Sequence, residues 1–351
     1  MTAMATAIVL LQFIPRAARD LLPRRVNRES RVRRSLVAAA PRFARHKLYV
    51  RIQLSRSTLV PWHTIAGMLK HFIVCLFAIT TAAGAFAQVA EGDQHWAARA
   101  EGHAGGRAKA AQIEPAIAAY ERAIAQNPND LETRGKLLRA IRFKGMYVAA
   151  STDEKKAVFD SGKRAGAEAL SILGRELTAK RVSLEKSSEK QVADAARAIP
   201  GAAEVFFWDS VNWGEWALVY GKLAAVREGA ADRIRREVTI AMMIDPKLEG
   251  GGPARVLGRL HDQTPRVPFI TGWASKKEAV RLLNESLKFD PANKITQVFL
   301  AEAMVDENSK SAPQAIPILR DVIAKPNDPQ YEVEQAQAVE DARALLKKWG
   351  A

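Results

Sequence analysis

Three segments of this chain share one spacing: a residue able to pack against a neighbouring helix, a larger apolar residue four later, a small residue three after that, and a proline five beyond. They are Ala116, Tyr120, Ala123 and Pro128; Ile234, Val238, Ala241 and Pro246; and Ala279, Leu283, Ser286 and Pro291. Steps of four and three keep the first three residues on one face of an α-helix. The proline ends that helix, because its ring cannot continue the hydrogen-bond ladder. Each segment therefore reads as the second helix of an αα-hairpin, with Asn127-Pro128, Asp245-Pro246 and Asp290-Pro291 at the break.

The spacing is similar to that of the tetratricopeptide repeat (TPR), whose helix pairs stack into a solenoid. First-helix positions follow at matching offsets: Leu137, Leu138 and Ile141 after Pro128, and Leu300, Ala301 and Met304 after Pro291. After Pro246, Leu257-Gly258 followed by His261 fits only with two residues inserted, which Gly250-Gly251-Gly252 supply. A fourth candidate, Ala315, Leu319 and Val322 with Pro326, is one residue short at its turn. A last helix over 332–349 is expected to cap the stack, since an end repeat has no neighbour to bury its apolar face. Pro246 follows Pro128 by far more than one repeat, yet the stretch between still reads helical. Ser151-x-x-Glu154 is a capping box opening a helix that runs to about Arg181, and 189–199 reads as a second helix stopped by Pro200-Gly201. A third carries Phe206, Trp213, Trp216 and Tyr220 within an arc of about 80°, beside the small residues Ala217, Gly221 and Ala224. No stretch alternates like a strand. The expected fold class is all-α, an irregular TPR-like helical-hairpin solenoid.

Lys and Arg number 53 against 38 Asp and Glu, a net charge of +15. Spread over a whole domain, that excess would point to a polyanion partner. It is local instead: residues 1–67 hold 13 of the basic groups against only Asp20 and Glu29. The body is close to neutral, and nucleic acid is not an expected partner. Met68-Leu69-Lys70-His71, an apolar run from Phe72 to Phe86, and Ala85-Phe86-Ala87 before Gln88 have the order of a secretory signal peptide with its A-x-A cleavage site. The expected plan is an untranslated or non-native extension over 1–67 with translation starting at Met68, a signal peptide over 68–87, and one all-α TPR-like domain over 88–351. Periplasmic localisation follows. The alternative is inner-membrane anchoring by an uncleaved 71–87 segment, although its second half is Thr, Ala and Gly and loses apolarity where a span should keep it. The single cysteine, Cys75, lies within this leader and excludes a disulfide, a CxxC redox pair and a Cys-ligated zinc site in the body.

Several motifs in one order resemble a specific family, the periplasmic TPR-like T component associated with tripartite ATP-independent periplasmic (TRAP) transporters, called TatT. They are Phe206-Phe207-Trp208 with Trp213-Gly214-x-Trp216, the Asp245-Pro246 turn, Gly251-Gly252-Pro253 leading into Leu257-Gly258-x-Leu260, and Pro265 before a helix ending at Asp290-Pro291. The resemblance covers about residues 112–345. It implies an irregular helical solenoid, a homotrimer with a central pore, and docking to the transporter's substrate-binding subunit to pass small, apolar ligands. The family's best-known arrangement is a membrane-tethered lipoprotein. This chain has no cysteine at the mature N-terminus, so a freely diffusing form is expected. Two other readings fit the same residues: a general periplasmic TPR scaffold for protein–protein interaction, or a carrier of lipid-like ligands.

The aromatic helix is the first candidate for ligand or partner contact, because Trp and Tyr give large contact area at low entropy cost. Phe206, Trp213, Trp216 and Tyr220 read first as a core stripe, whereas Trp208 points to another side, near Asn212 and Glu215, and is the better candidate for an exposed contact. Arg255 follows Gly250-Gly251-Gly252-Pro253, where glycine amides at a helix start can hold an anion or simply form a turn. Trp273, in the Pro- and Gly-bearing segment from Asp262 to Ser275, fits core filling and partner contact alike. Paired carboxylates such as Glu204 with Asp209 sit where solvated helix faces put them. Three scattered histidines in the body give no nucleophile–base arrangement and no metal spacing, so neither enzyme activity, a cofactor nor a metal is expected.

Overall fold

The computed structural model of the chain describes residues 84–267 and 271–351. Thirteen α-helices follow one another among them, with no strand. They are α1 (84–97), α2 (Ala110–Gln126), α3 (Leu131–Phe143, continued by a π-turn over Lys144–Val148), α4 (Thr152–Ala179), α5 (Glu189–Ala196) and α6 (Ala202–Tyr220). There follow α7 (Lys222–Arg227), α8 (Ala230–Ile244), α9 (Leu248–Gln263), α10 (Lys276–Phe289), α11 (Lys294–Glu307), α12 (Ala312–Ala324) and α13 (Glu332–Trp349). The fold is all-α and built of helical hairpins.

The repeated spacing describes real helices. The three face residues of each segment are buried on α2, α8 and α10, and those of the fourth candidate on α12. The residue two beyond the proline explains why the turns recur. Asp130 accepts a hydrogen bond from the Thr133 amide at 3.1 Å, and Asn293 accepts one from the Thr296 amide at 3.0 Å, so the next helix is capped as soon as the last has ended. After Pro246 no such cap exists. Glu249, Gly250 and Gly251 instead adopt left-handed φ of 50°, 61° and 80° in succession. A Cβ on Gly251 would lie 2.8 Å from the Ser286 carbonyl, so the inserted glycines let the turn pack closely on α10.

The segment between the first two repeats is helical as expected, with two boundary corrections. The capping box at Ser151 and Glu154 is formed, and Ser188 with Gln191 forms another. α5 stops at Ala196, three residues before the expected end. The aromatic helix breaks at Gly221, whose φ of 89° ends α6 and starts the short α7, so Ala224 no longer lies on the aromatic helix. α6 packs against α3, α4, α8 and α9. A helix covered on so many sides is apolar nearly all round, which is why a single arc describes it poorly.

The last helix does more than cap. Ala338, Ala342, Leu345 and Leu346 of α13 pack with α11 and α12, while Val333 belongs to the core of Ile113, Ala116 and Tyr120 on α2. Arg99, just past α1, forms a buried ion pair with Glu334 at 2.9 Å, and the Gly106 amide donates to Glu340 at 3.1 Å. The array therefore closes on itself, and the end repeat has the first one as its neighbour.

The extension over 1–67 and nearly all of the leader over 68–87 lie outside the described residues, as does most of the alternative anchor over 71–87. Among the described residues no helix is long and apolar enough to cross a membrane.

Candidate functional site

The aromatic arc on α6 divides between core and surface. Phe206, Trp213 and Trp216 are buried, and the two tryptophans pack with Phe159, Ala230 and Ile234. Tyr220, one turn further, is 37% exposed and stacks on Trp216 at 4.7 Å. Asp160 on α4 ties the end of the arc down, accepting from Trp216 Nε1 at 3.0 Å and from the Tyr220 hydroxyl at 2.6 Å. The Lys163 ammonium lies 3.9 Å from the Trp213 ring and 3.7 Å from the Trp216 ring. Trp208 is corrected. It is half-buried, edge-on to Phe207 at 4.8 Å and packed on the largest core cluster, because α6 is covered on that side as well.

Asp209 is not on a solvated face either. Its carboxylate is fully buried against α4, where a Cβ on Gly166 would clash with Asp209 Oδ1. Gly162 makes the same kind of room for Asn212. Those two glycines, four apart on a long helix, were the sequence signal for a buried polar pair on the facing helix. Arg233 donates to Asp209 at 2.9 Å and lies 3.0 Å from Glu237. Burial pushes the carboxyl groups of Asp209 and Glu237 up, Glu237 well above the usual range, with the charge of Asp209 adding to it; Arg233 and Lys163 oppose the rise at Asp209. Asp209 and Glu237 share the Arg233 guanidinium as their one ion-pair partner, so burial favours the protonated form of Glu237.

An acid with a raised folded pKa favours the folded state while it is protonated. Its contribution is lost as pH climbs from the free-glutamate range through the raised value. Urea midpoints of the wild-type protein should therefore fall across that interval, and those of Glu237→Gln should fall less. Equal slopes for the two proteins would refute the raised pKa of Glu237.

A second constellation occupies the place where the array closes. Trp96 and Arg99 reach it from the α1 end, Arg139 and Arg142 from α3, Glu215 from α6, Glu249 and Arg255 from the turn into α9, Tyr331 from the turn before α13, and Glu334 from α13. The side chains pair across elements: Arg99 with Glu334 at 2.9 Å, Arg139 with Glu249 at 3.5 Å, and Arg142 with Glu215 at 3.0 Å. The Trp96 ring has the Arg99 guanidinium 4.3 Å away and that of Arg139 4.2 Å away. Arg255 donates to the Glu249 carbonyl at 3.2 Å and to the Thr296 hydroxyl at 3.4 Å. Burial lowers its pKa from the usual arginine range. Of the two readings of the glycines, the structure shows the turn: Gly250 and Gly251 are left-handed. Of the residues here, the sequence singled out Arg255 alone; the others are isolated arginines, glutamates and aromatics far apart in the chain.

Trp273 belongs to neither constellation. Its indole donates to Asp232 on α8 at 2.9 Å, and its ring meets His261 on α9 edge-on at 5.2 Å, which ties the loop to the body. Among the described residues no group of His, Cys, Asp and Glu could hold a metal ion. No family model matches this chain, and no curated protein matches it.

Proposed function

We propose that this protein is a periplasmic TPR-like accessory protein that docks to the substrate-binding subunit of a TRAP transporter and helps pass a small ligand, without catalysis of its own. The resemblance to TatT supplies the partner. The observation that supports docking is an apolar ridge at the break between α6 and α7, where Leu218, Leu223 and Val226 are 73%, 75% and 65% exposed. Three large apolar side chains in water at one break are a contact surface in the making. The arginines at the centre speak against a carrier of wholly lipid-like ligands.

The test is capture from the periplasm of cells expressing the chain from Met68. The expected result is a mature protein beginning at Gln88 that brings down a solute-binding subunit, whereas Leu223→Asp brings down at least tenfold less. A charge in a desolvated apolar contact costs enough to produce that loss. Light scattering on the same material reads the homotrimer. Capture of unrelated proteins, equal for both variants, would replace the transporter reading with that of a general scaffold.

A further inference from the structure

We infer that the outward face of α7 is received by an apolar depression on the docking partner with carboxylates on both sides of it. This rests on the docking half of the proposed function and adds to it the chemistry that the partner must present.

α7 has two faces. At about 100° per residue, Lys222, Val226, Leu223 and Arg227 fall in that order within an arc of about 140°, and Ala224 and Ala225 lie outside it. Burial follows the same division. All four residues of the arc are exposed, whereas the two alanines are partly buried and pack with Trp213, Trp216, Ala230 and Ile234. Two apolar side chains therefore face solvent with one basic side chain on each side of them. Gly221 and Gly229 bound the helix at φ of 89° and 66°, and nothing lies within 4 Å of where a Cβ on either would be. Both ends of the face are open to an approaching surface.

The charges select the partner. Neither Lys222 nor Arg227 makes a side-chain hydrogen bond or an ion pair among the described residues, although acids stand close in the chain. Glu228 is instead paired with Lys163 at 3.5 Å, and Asp232 accepts from the Trp273 indole at 2.9 Å. Pressing Leu223 and Val226 onto a partner strips water from the two cations beside them, which costs free energy unless carboxylates replace it. A partner that is apolar where Leu223 lands and acidic on either side meets both demands, and opposite charges at the rim also steer the encounter. The same face of a second copy would bring like charges together. A bilayer asks for a longer apolar face than Leu218, Leu223 and Val226 offer, since even a single myristoyl chain holds a protein to a membrane only reversibly.

The test compares capture of the solute-binding subunit, identified by mass spectrometry, by four forms of the mature chain: wild type, Leu223→Asp, Lys222→Glu with Arg227→Glu, and Lys222→Gln with Arg227→Gln. Every substituted residue is exposed, so far-UV circular dichroism should be the same for all four. Charge reversal is expected to lower capture at least about tenfold, and neutralisation several-fold. Raising salt from about 0.05 M to about 0.5 M should weaken wild-type capture several-fold and that of the neutral variant little. Carbodiimide, which joins an amine to a carboxylate without a spacer, should link Lys222 to an Asp or Glu of the subunit. Capture lost in Leu223→Asp but kept on charge reversal would overturn the acidic rim and leave docking standing. No subunit captured by the wild type, or equal capture by Leu223→Asp, would remove the docking reading and the rim with it. Flotation with phosphatidylglycerol vesicles that charge reversal abolishes would give the face to a membrane, and an oligomer that charge reversal dissociates would give it to a second copy; either would overturn the inference.

Discussion

Trp213→Ala should lower the unfolding free energy by about 3–5 kcal/mol, the cost of emptying a large buried side chain from a packed core. The indole lies between α4 and α8 and is 6% exposed. Its ring also faces two cations, Lys163 at 3.9 Å and Arg233 at 4.5 Å, which would lose that partner with it. Trp208→Ala should cost clearly less, because part of that ring is already in water, and Tyr220→Ala less again. The check is a set of denaturant curves for the three variants. Equal losses for Trp213 and Trp208 would mean that burial along α6 does not grade its stability contribution. A stable Trp213→Ala would remove the arc from the core altogether.

How far this molecule could be read from its residues depends on whether an interaction is local in the chain. The repeats were legible because each rests on a face of three residues closed by a proline, and two of the three reopen with a cap two residues later, all within one hairpin. Ala241 and Leu283 could be placed in a core from spacing alone. Asp209 could not. Its burial is made by Gly162 and Gly166 on another helix, and charge by itself reads as surface. Trp208 failed for a related reason: an arc of apolar residues identifies one buried face, and α6 has several. The central cluster was the least legible part. Arg99, Arg139, Arg255 and Glu334 acquire meaning only when the two ends of the array meet, and no local pattern announces that Glu334 of α13 pairs with Arg99 beyond α1.

Ring closure should depend on Arg99. In Arg99→Ala the Glu334 carboxylate stays buried without its cation, and breaking a buried pair in this way typically costs about 3–5 kcal/mol. The pair is nearly sealed, with side chains 6% and 10% exposed, and Arg99 donates twice to Glu334 Oε1, at 3.1 Å and 2.9 Å. Hydrophobic burial of Val333 in the core it shares with α2 and α3 would remain, so the loss should appear first as opening at the seam and only then as global unfolding. Hydrogen exchange reads the difference. If the array is a closed ring, Arg99→Ala lowers protection in α1 and in α13 together, although the two are separated by most of the chain. An open stack with an ordinary cap would lose protection in α1 alone and leave α13 held by α11 and α12. Arg99→Lys sharpens the comparison: it restores the charge without the fork or the stacking on Trp96, so it should recover part of the protection at both ends and not at one.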